Sequence, residues 1–213
     1  MISTNYAEKG LTLLEILVVL AIIGIVAAIS VPNISGNESK YVKECLETGW
    51  ISSAGSYVDK FERVVAEFTG VKYAIATMNG TAALHIALLL AGVKPKDYVI
   101  VSNMTFVASA NSIKYTGADP ILIDADPETW QMDLDLLDEF LDNKTSINSN
   151  GERILISDGR CVKTIMPVHI QGNIFDFDRF KLICEKYNMS FIEDAAEALG
   201  SKYKGQSAGT FDK

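Results

Sequence analysis

The amino-acid sequence predicts an α/β fold built around a mostly parallel sheet. From residue 73 onward, short runs of β-branched and other apolar residues alternate with helical segments of about 8 to 12 residues, which is the order of βα units. Apolar residues make up 48% of the 213 positions and charged residues 22%, so the chain can bury a core. The residues before Pro32 have a different composition and are expected to form a separate segment.

Each element follows from where an apolar run starts and where glycine, proline or polar residues interrupt it. Helices are predicted over Glu38–Thr48, Val58–Thr69, Thr81–Ala91, Phe106–Thr116, Leu134–Leu141 and Asp176–Tyr187. Strands are predicted over Tyr73–Thr77, Tyr98–Ser102, Ile121–Asp124, Lys163–Val168 and Ser190–Glu193. The polar run DNKTSINSNG follows the fifth of these helices, and residues Glu152–Val162 are expected to be irregular or to form a hairpin.

Charge and composition argue against several classes of function. The net charge is −8 and the isoelectric point is about 4.8, so no basic surface exists to replace the counterions of a nucleic acid. The three cysteines form no CxxC pair and the chain has two histidines, so neither a disulfide framework nor a metal site is expected. Reduced thiols favour a cytosolic domain.

A long apolar segment near the N-terminus follows a short polar leader. Residues 11–29, LTLLEILVVLAIIGIVAAI, carry one charge, at Glu15, and are long enough to cross a bilayer as a helix. The run KGLTLLEILVVLAIIGIVAAISVPN resembles the start of a type IV prepilin. The resemblance implies cleavage after Gly10, methylation of the new N-terminal Leu11, and pairing of Glu15 with a neighbouring subunit, which would offset the cost of a carboxylate in lipid. The alternative is an ordinary membrane anchor that contains a stray glutamate.

The first of three predicted strand ends carries residue types suited to binding a phosphate. Ligands of parallel α/β sheets collect at the carboxyl ends of the strands. In MNGTAAL, Gly80 lets the backbone approach a ligand closely. Thr81, as an N-cap or N1 residue, can join the free N–H groups of the helix start in holding a phosphate. An ordinary helix cap would explain the same residues.

The other two strand ends add an aromatic ring and a carboxylate. In SNMTF, Phe106 can stack on a flat ring, although core packing is the better explanation of this residue taken alone. In FIEDAAEALG, Asp194 can pair with a cationic ring nitrogen, and the two alanines after it leave room for the ring. The alternative, two solvated acids at a loop, is plausible for Glu193 but less so for Asp194.

Together these segments resemble the DegT-type sugar aminotransferases, which are pyridoxal 5′-phosphate (PLP) enzymes of fold type I. The similarity runs from Pro32 to Lys213 through VPNISGNESKYVKECLETGWISSAG, NGTAALHIALLLAGV, TFVASAN, PVHIQGNIFDFD and IEDAAEALGSKYKGQSAGTF. It implies PLP as the cofactor and a partial large domain with three α/β/α layers. The implied cofactor contacts are Gly80 and Thr81 to the phosphate, Phe106 to the ring face, Asp194 to the ring nitrogen and Glu197 near the phenolic oxygen. The implied substrate positions, a weaker transfer, are Trp50, Ser52, Ser53 and His169.

Two segments resemble one branch of the family most, namely GNESKYVKECLETGWISSAG and NGERILISDGRCVKTIMPVHIQGN. Members of that branch transfer an amino group from glutamate to C4 of a nucleotide-linked 4-keto sugar, on the way to bacillosamine or legionaminic acid. The resemblance also implies a homodimer. In relatives the Schiff-base lysine lies beyond the GTF motif, so Lys213 is not assigned that role, and we expect a truncated large domain without turnover.

The expected organisation is a leader over residues 1–10, an apolar membrane-type helix over 11–31 and the truncated aminotransferase domain over 32–213. The two parts imply different compartments, since the leader targets the inner membrane whereas PLP and nucleotide sugars are cytoplasmic. Two other classes of function stay open from the sequence. One is a pilin-like structural protein held in the membrane, and the other is a non-catalytic module that binds a cofactor or a sugar.

Overall fold

The computed structural model describes residues 17–18, 34–52 and 55–211, and the chain divides into two compact units between Gly55 and Ser56. In the first unit, the helix Glu38–Thr48 has the bounds that the sequence predicts, and it ends where Gly49 adopts the left-handed conformation at φ 74°. Most of the predicted apolar span lies outside the described residues. Among the helices that are described, none has the length and apolar character needed to cross a membrane.

The second unit is built on a four-stranded parallel sheet. The strands in chain order are β1 Tyr98–Ser102, β2 Asp119–Ile123, β3 Thr145–Ile147, β4 Arg153–Leu155, β5 Val162–Met166, β6 Ser190–Phe191, β7 Lys202–Tyr203 and β8 Gln206–Ser207. The sheet has the order β2-β1-β5-β6, and every pair in it is parallel. The carboxyl ends of these strands therefore meet at one edge, where ligands of such sheets bind. The remaining strands form two antiparallel hairpins, β3 with β4 and β7 with β8.

Helices connect the strands and are named here by their first residue. Those of the second unit are Ser56–Thr69, Gly80–Leu90, Val107–Tyr115, Leu134–Lys144 and Phe177–Tyr187, with a 3₁₀ turn at Ile170–Gly172. The cap of the Phe177 helix also fixes the β7–β8 hairpin, because Asp176 accepts the N–H of Arg179 at 3.1 Å and the hydroxyl of Tyr203 at 3.0 Å. The bond from the Arg179 N–H is the main reason that the pKa of Asp176 lies below its ordinary value.

The sheet lies between two layers of helices, as the side-chain alternation of β1 shows. Val99 and Val101 pack on one face with the Gly80 and Val107 helices, whereas Ile100 packs on the other with the Leu134 and Phe177 helices. The first cluster includes Leu84, Leu88, Ile113 and Met166, and the second includes Leu137, Leu141, Ile165 and Phe180. This arrangement confirms the predicted three-layer α/β fold with a parallel sheet.

The structure has no strand at Tyr73–Thr77, where the sequence predicts one. The N–H of Ala76 donates instead to the Oε1 of Glu62, on the Ser56 helix, at 2.8 Å. Tyr73 and Ile75 are exposed. The composition of the segment suits a strand, but a strand also needs a partner for its backbone, and no described segment pairs with this one.

Other differences from the prediction are smaller. β6 ends at Phe191 because pairing beyond it continues only as an isolated bridge between Val168 and Asp194. The region expected to be irregular or a hairpin contains β4, which pairs with β3. The β7–β8 hairpin was not predicted, because strands of two residues have no hydrophobic period to detect.

The packing of the Leu134 helix can be tested with two adjacent leucines. Leu137 is completely buried and Leu136 is 42% exposed. We expect Leu137→Ala to lower the free energy of unfolding by about 2–5 kcal/mol, because it leaves a cavity in the core. Leu136→Ala should lower it by less than about 1 kcal/mol. Urea denaturation followed by circular dichroism measures both, and equal losses would contradict the orientation of this helix.

Candidate functional site

Asp194 lies at the carboxyl edge of the sheet, just after β6. Its N–H donates to the carbonyl oxygen of Pro167 at 2.9 Å, and its own carbonyl oxygen accepts the N–H of His169 at 3.1 Å. These two bonds fix its backbone to the chain that leaves β5. The residue is 7% exposed, and a carboxylate so placed needs donors or a cation to offset its lost hydration.

The donors to this carboxylate come from the Val107 helix and from the turn after β6. The hydroxyl of Ser109 donates to Oδ2 at 2.7 Å, and the N–H of Ala196 lies 3.3 Å from Oδ1. Ser109 is itself fully buried, and its Oγ lies 2.6 Å from the Oγ1 of Thr105. None of the salt bridges in the described part of the chain involves Asp194. The carboxylate is therefore oriented by hydrogen bonds without a protein cation beside it.

Phe106 is presented at the same edge by the turn between β1 and the Val107 helix. It occupies the N-cap position in an extended conformation, with φ −69° and ψ 144°. The residue is 77% exposed, so its ring is not part of the core. The Oγ1 of Thr105 lies 3.2 Å from the Phe106 carbonyl oxygen, which places the backbone of Phe106 beside the group that orients the carboxylate.

The first two N–H groups of the Gly80 helix have no acceptor among the described residues. Its N-cap is Asn79, whose Oδ1 accepts the N–H of Ala82 at 2.9 Å. Gly80 is therefore N1 and Thr81 is N2, which corrects the prediction that Thr81 is the N-cap or N1 residue. The N–H groups of Gly80 and Thr81 make no hydrogen bond to any described residue. A Cβ added at Gly80 would meet no atom within 4 Å, so the space beside it is open.

The Gly80 and Val107 helices lie side by side on the same face of the sheet. The rings of His85 and Tyr115 meet edge to face, with centroids 6.0 Å apart. Both helices also contribute to the core cluster that covers β1. The Gly80 helix, which starts with Gly80 and Thr81, packs against the Val107 helix. The Val107 helix in turn is hydrogen-bonded to the Asp194 carboxylate through Ser109.

Glu197 follows Asp194 by three residues and holds the loop that leaves β5. Its Oε2 accepts the N–H of Gln171 at 2.7 Å. Gly172 has φ +74°, and a Cβ there would lie 2.8 Å from the carbonyl oxygen of Glu197, so this close approach requires glycine. Glu197 is exposed, and its carboxylate remains accessible from solvent.

Glu193 and His169 form a buried pair that the sequence did not predict. The side chain of Glu193 is 6% exposed, so its interpretation as a solvated acid is wrong. Its oxygens accept the N–H groups of Gly209 at 2.7 Å and Phe211 at 3.1 Å, and lie 2.9 Å from the Nε2 of His169. Since both oxygens accept, Nε2 carries the hydrogen, and Nδ1 of His169 has no partner in the described part of the chain. One feature of the sequence could have indicated that Glu193 is buried. Side chains alternate along a strand, so Glu193 and Asp194 must point to opposite sides.

The remaining predicted site residues lie outside this unit or outside the described residues. Trp50 and Ser52 belong to the first unit and are exposed. Ser53, Gly10, Leu11 and Glu15 are not among the described residues. Within the described ranges, no group of three or more His, Cys, Asp or Glu side chains is placed to hold a metal ion.

Glu193→Gln tests the role of the buried pair. The amide group of glutamine would face an N–H that then lacks an acceptor, so we expect a loss of about 1–3 kcal/mol in the free energy of unfolding. Hydrogen exchange at Gly209 and Phe211 should accelerate with it. Glu185→Gln, at an exposed carboxylate on the Phe177 helix, is the control and should change the stability by less than about 0.5 kcal/mol. Unchanged exchange at both amides would show that Glu193 does not hold this segment.

Comparison with protein families divides the chain at residue 31. Residues 5–31 match the prokaryotic N-terminal methylation motif. Residues 32–213 match the DegT/DnrJ/EryC1/StrS aminotransferase family. The second match covers the whole of the sheet and the residues gathered at its carboxyl edge.

Individual relatives agree with this division. The chain is 45% identical over 180 residues to the GDP-perosamine synthase of Escherichia coli O157:H7, which is 84% of this chain and 45% of that protein. It is 37% identical over 152 residues to the UDP-2-acetamido-2-deoxy-3-oxo-D-glucuronate aminotransferase of Pseudomonas aeruginosa, covering 71% of this chain and 38% of the relative. The chain thus spans less than half the length of these relatives.

A solved structure shows the same fold. The sugar aminotransferase Spr1654 from Streptococcus pneumoniae, in its PLP form, is 31% identical and has a TM-score of 0.71, covering 84% of this chain and 45% of that chain. Together with the family match, this relative implies PLP as the cofactor. On the match over residues 32–213 and on these relatives, the chain belongs to the DegT/DnrJ/EryC1/StrS aminotransferase family.

Proposed function

We propose that residues 56–211 form the cofactor-binding part of an aminotransferase that moves an amino group from glutamate to C4 of a nucleotide-linked 4-keto sugar. The observation that carries the proposal is the buried carboxylate of Asp194, oriented by two donors at the carboxyl edge of the sheet. A carboxylate of this kind stabilises a protonated ring nitrogen, and a protonated pyridine ring is the form that accepts electrons.

The described residues fit PLP in three respects. No cationic side chain of the described residues forms a salt bridge with the carboxylate of Asp194, which can accept a cation from a ligand. Phe106 exposes a ring at the same edge, available for stacking on a flat heterocycle. The N–H groups of Gly80 and Thr81 open an 11-residue helix, and such a terminus attracts phosphate.

Each of these residues then has a defined task. Bound PLP supplies the ring that accepts electrons and carries the amino group between donor and acceptor. In our proposal Asp194 holds the proton on the ring nitrogen, and Phe106 covers one ring face and keeps water from it. Gly80 and Thr81 bind the phosphate and so fix the position of the ring. Glu197 lies near the phenolic oxygen, at the surface of the same segment.

The substrate class is proposed from the names of the relatives and from sequence resemblance. The E. coli relative is named for a GDP-linked sugar and the P. aeruginosa relative for a UDP-linked oxo sugar, so we propose a nucleoside-diphosphate sugar. Its keto group is assigned to C4 because GNESKYVKECLETGWISSAG resembles the 4-keto branch of the family. Trp50, Ser52 and Ser53 are proposed to contact this substrate. His169, buried beside Glu193, is proposed to support the loop that borders the site.

The Schiff-base lysine and the partner subunit are also matters of proposal. The resemblance puts that lysine beyond Phe211, and no residue of the present sequence is assigned to its role. We therefore propose that residues 1–213 by themselves bind the cofactor without catalysing transfer. We also propose that the protein works as a homodimer in the cytoplasm.

A second function is favoured by one separate observation, the match of residues 5–31 to the N-terminal methylation motif. We propose cleavage after Gly10, methylation of Leu11 and insertion of residues 11–29 in the inner membrane, with Glu15 paired to a neighbouring N-terminus. These events would give a pilin-like, membrane-held chain, whose aminotransferase part would then lie in a compartment without nucleotide sugars.

Cofactor binding can be tested without the lysine by using pyridoxamine 5′-phosphate. We expect the 213-residue chain to bind it, and Asp194→Asn to weaken binding by about 2 kcal/mol or more, a factor of about 30. Asn cannot supply the negative charge that stabilises the protonated ring. Isothermal titration calorimetry measures the dissociation constants, with Asp59→Asn, at an exposed acid on the Ser56 helix, as the control. Equal affinity for Asp194→Asn and Asp59→Asn would contradict the assignment of the site.

The N-terminal proposal has its own measurement. Mass spectrometry of the chain made in a host with a prepilin peptidase should show an N-terminal methyl-leucine at position 11. Gly10→Val should leave the leader attached, because a branched side chain replaces the small residue before the cleaved bond. An intact leader on the wild-type chain would exclude the processing.

A further inference from the structure

A short chain of hydroxyl groups ends on the carboxylate of Asp194. The Oγ1 of Thr105 lies 2.6 Å from the Oγ of Ser109, which lies 2.7 Å from the Oδ2 of Asp194. Ser109 is completely buried, and Asp194 is nearly so. Ser109 lies in the first turn of the Val107 helix, and Thr105 directly precedes its N-cap residue, Phe106, so the turn that enters the helix brings the two hydroxyls together.

The direction of donation in this chain follows from counting hydrogens. The carboxylate can only accept, so the single hydrogen of the Ser109 hydroxyl goes to Asp194. The hydrogen between Thr105 and Ser109 must then come from Thr105. A second acceptor for Thr105, the carbonyl oxygen of Phe106, is more distant at 3.2 Å. Both donors therefore point toward Asp194, and each hydrogen bond polarises the next.

The consequence for Asp194 is that its carboxylate is stabilised and oriented. Hydrogen bonds donated to a buried carboxylate offset the hydration that it loses. They also fix the rotation of the side chain, because Oδ2 is engaged by Ser109 while, among the described residues, Oδ1 is approached only by the Ala196 N–H at 3.3 Å. Oδ1 is thus the oxygen with capacity left for a further donor.

We propose that Ser109, ordered by Thr105, is a positioning residue that keeps the Asp194 carboxylate directed at the cofactor, so that the proton shared between them stays on the ring nitrogen. The inference rests on the proposed function, since it assigns a ring nitrogen to Asp194. Without the Ser109 donor, the Asp194 carboxylate is no longer held in this orientation, and it stabilises the proton on the ring nitrogen less well. The other explanation is that Ser109 only fills the core between the helix and the sheet.

Ser112 separates these two explanations. It is also completely buried, lies one turn further along the same helix, and donates its hydroxyl to the carbonyl oxygen of Ser109 at 2.7 Å. Its hydroxyl makes no contact with Asp194. Ser109→Ala and Ser112→Ala thus remove the same group from equally buried positions, and only the first is expected to change the cofactor.

The experiment uses the 213-residue chain and pyridoxamine 5′-phosphate labelled with ¹⁵N in the ring. The ring ¹⁵N chemical shift reports protonation of that nitrogen, and calorimetry gives the affinity. We expect Ser109→Ala to move the shift toward the unprotonated form and to weaken binding about tenfold. Ser112→Ala should keep the wild-type shift, and Ser109→Thr, which retains a hydroxyl, should restore it. If Ser109→Ala does not fold, Thr105→Val replaces it, with a smaller change in the same direction.

The outcomes distinguish this inference from the function on which it rests. Absence of binding by the wild-type chain, or an unchanged affinity in Asp194→Asn, would overturn the proposed function and this inference with it. Loss of binding in Asp194→Asn, together with a wild-type shift and affinity in Ser109→Ala or Thr105→Val, would overturn the inference alone. An equal change in Ser112→Ala would show that the effect comes from core packing and would likewise overturn it.

Discussion

The burial of one carboxylate organises the carboxyl edge of this sheet. Asp194 is held by backbone bonds to the chain leaving β5 and by a side-chain bond to the Val107 helix. A buried carboxylate is costly unless its oxygens are satisfied, so these bonds tie two strands and one helix to a common geometry. The turn that presents Phe106 lies at the start of that helix and is fixed by the same constraint.

The preceding residue, Glu193, has a separate structural role on the opposite side. Glu193 receives two backbone N–H groups from the segment after the β7–β8 hairpin and a hydrogen from His169. Phe211 then stacks on Phe177, with ring centroids 4.0 Å apart. The two neighbouring acids thus have different roles. Asp194 faces the candidate cofactor site, whereas Glu193 holds the end of the described chain, whose Phe211 packs on the Phe177 helix.

Sequence reasoning succeeded where the physical signal is local. The bounds of β1 and of the Glu38 helix were predicted to the residue, because apolar runs and a following polar or glycine residue define them. It failed where a partner decides the outcome. Tyr73–Thr77 has the composition of a strand, but no described segment pairs with it. In the sequence Glu193 resembles an ordinary acid at a loop, whereas in the structure it accepts the N–H groups of Gly209 and Phe211. The predicted helix start was wrong by one or two residues, because Asn79 takes the N-cap role that the sequence suggested for Thr81.

We propose that Asp194, Phe106 and the start of the Gly80 helix bind one cofactor molecule. A crystal structure of the chain with pyridoxamine 5′-phosphate is the most direct test. We expect the ring nitrogen within hydrogen-bond distance of the Asp194 carboxylate, the ring face against Phe106, and the phosphate at the N–H groups of Gly80 and Thr81. Density for the ligand away from Asp194, or a phosphate bound elsewhere than at the Gly80 helix, would contradict it.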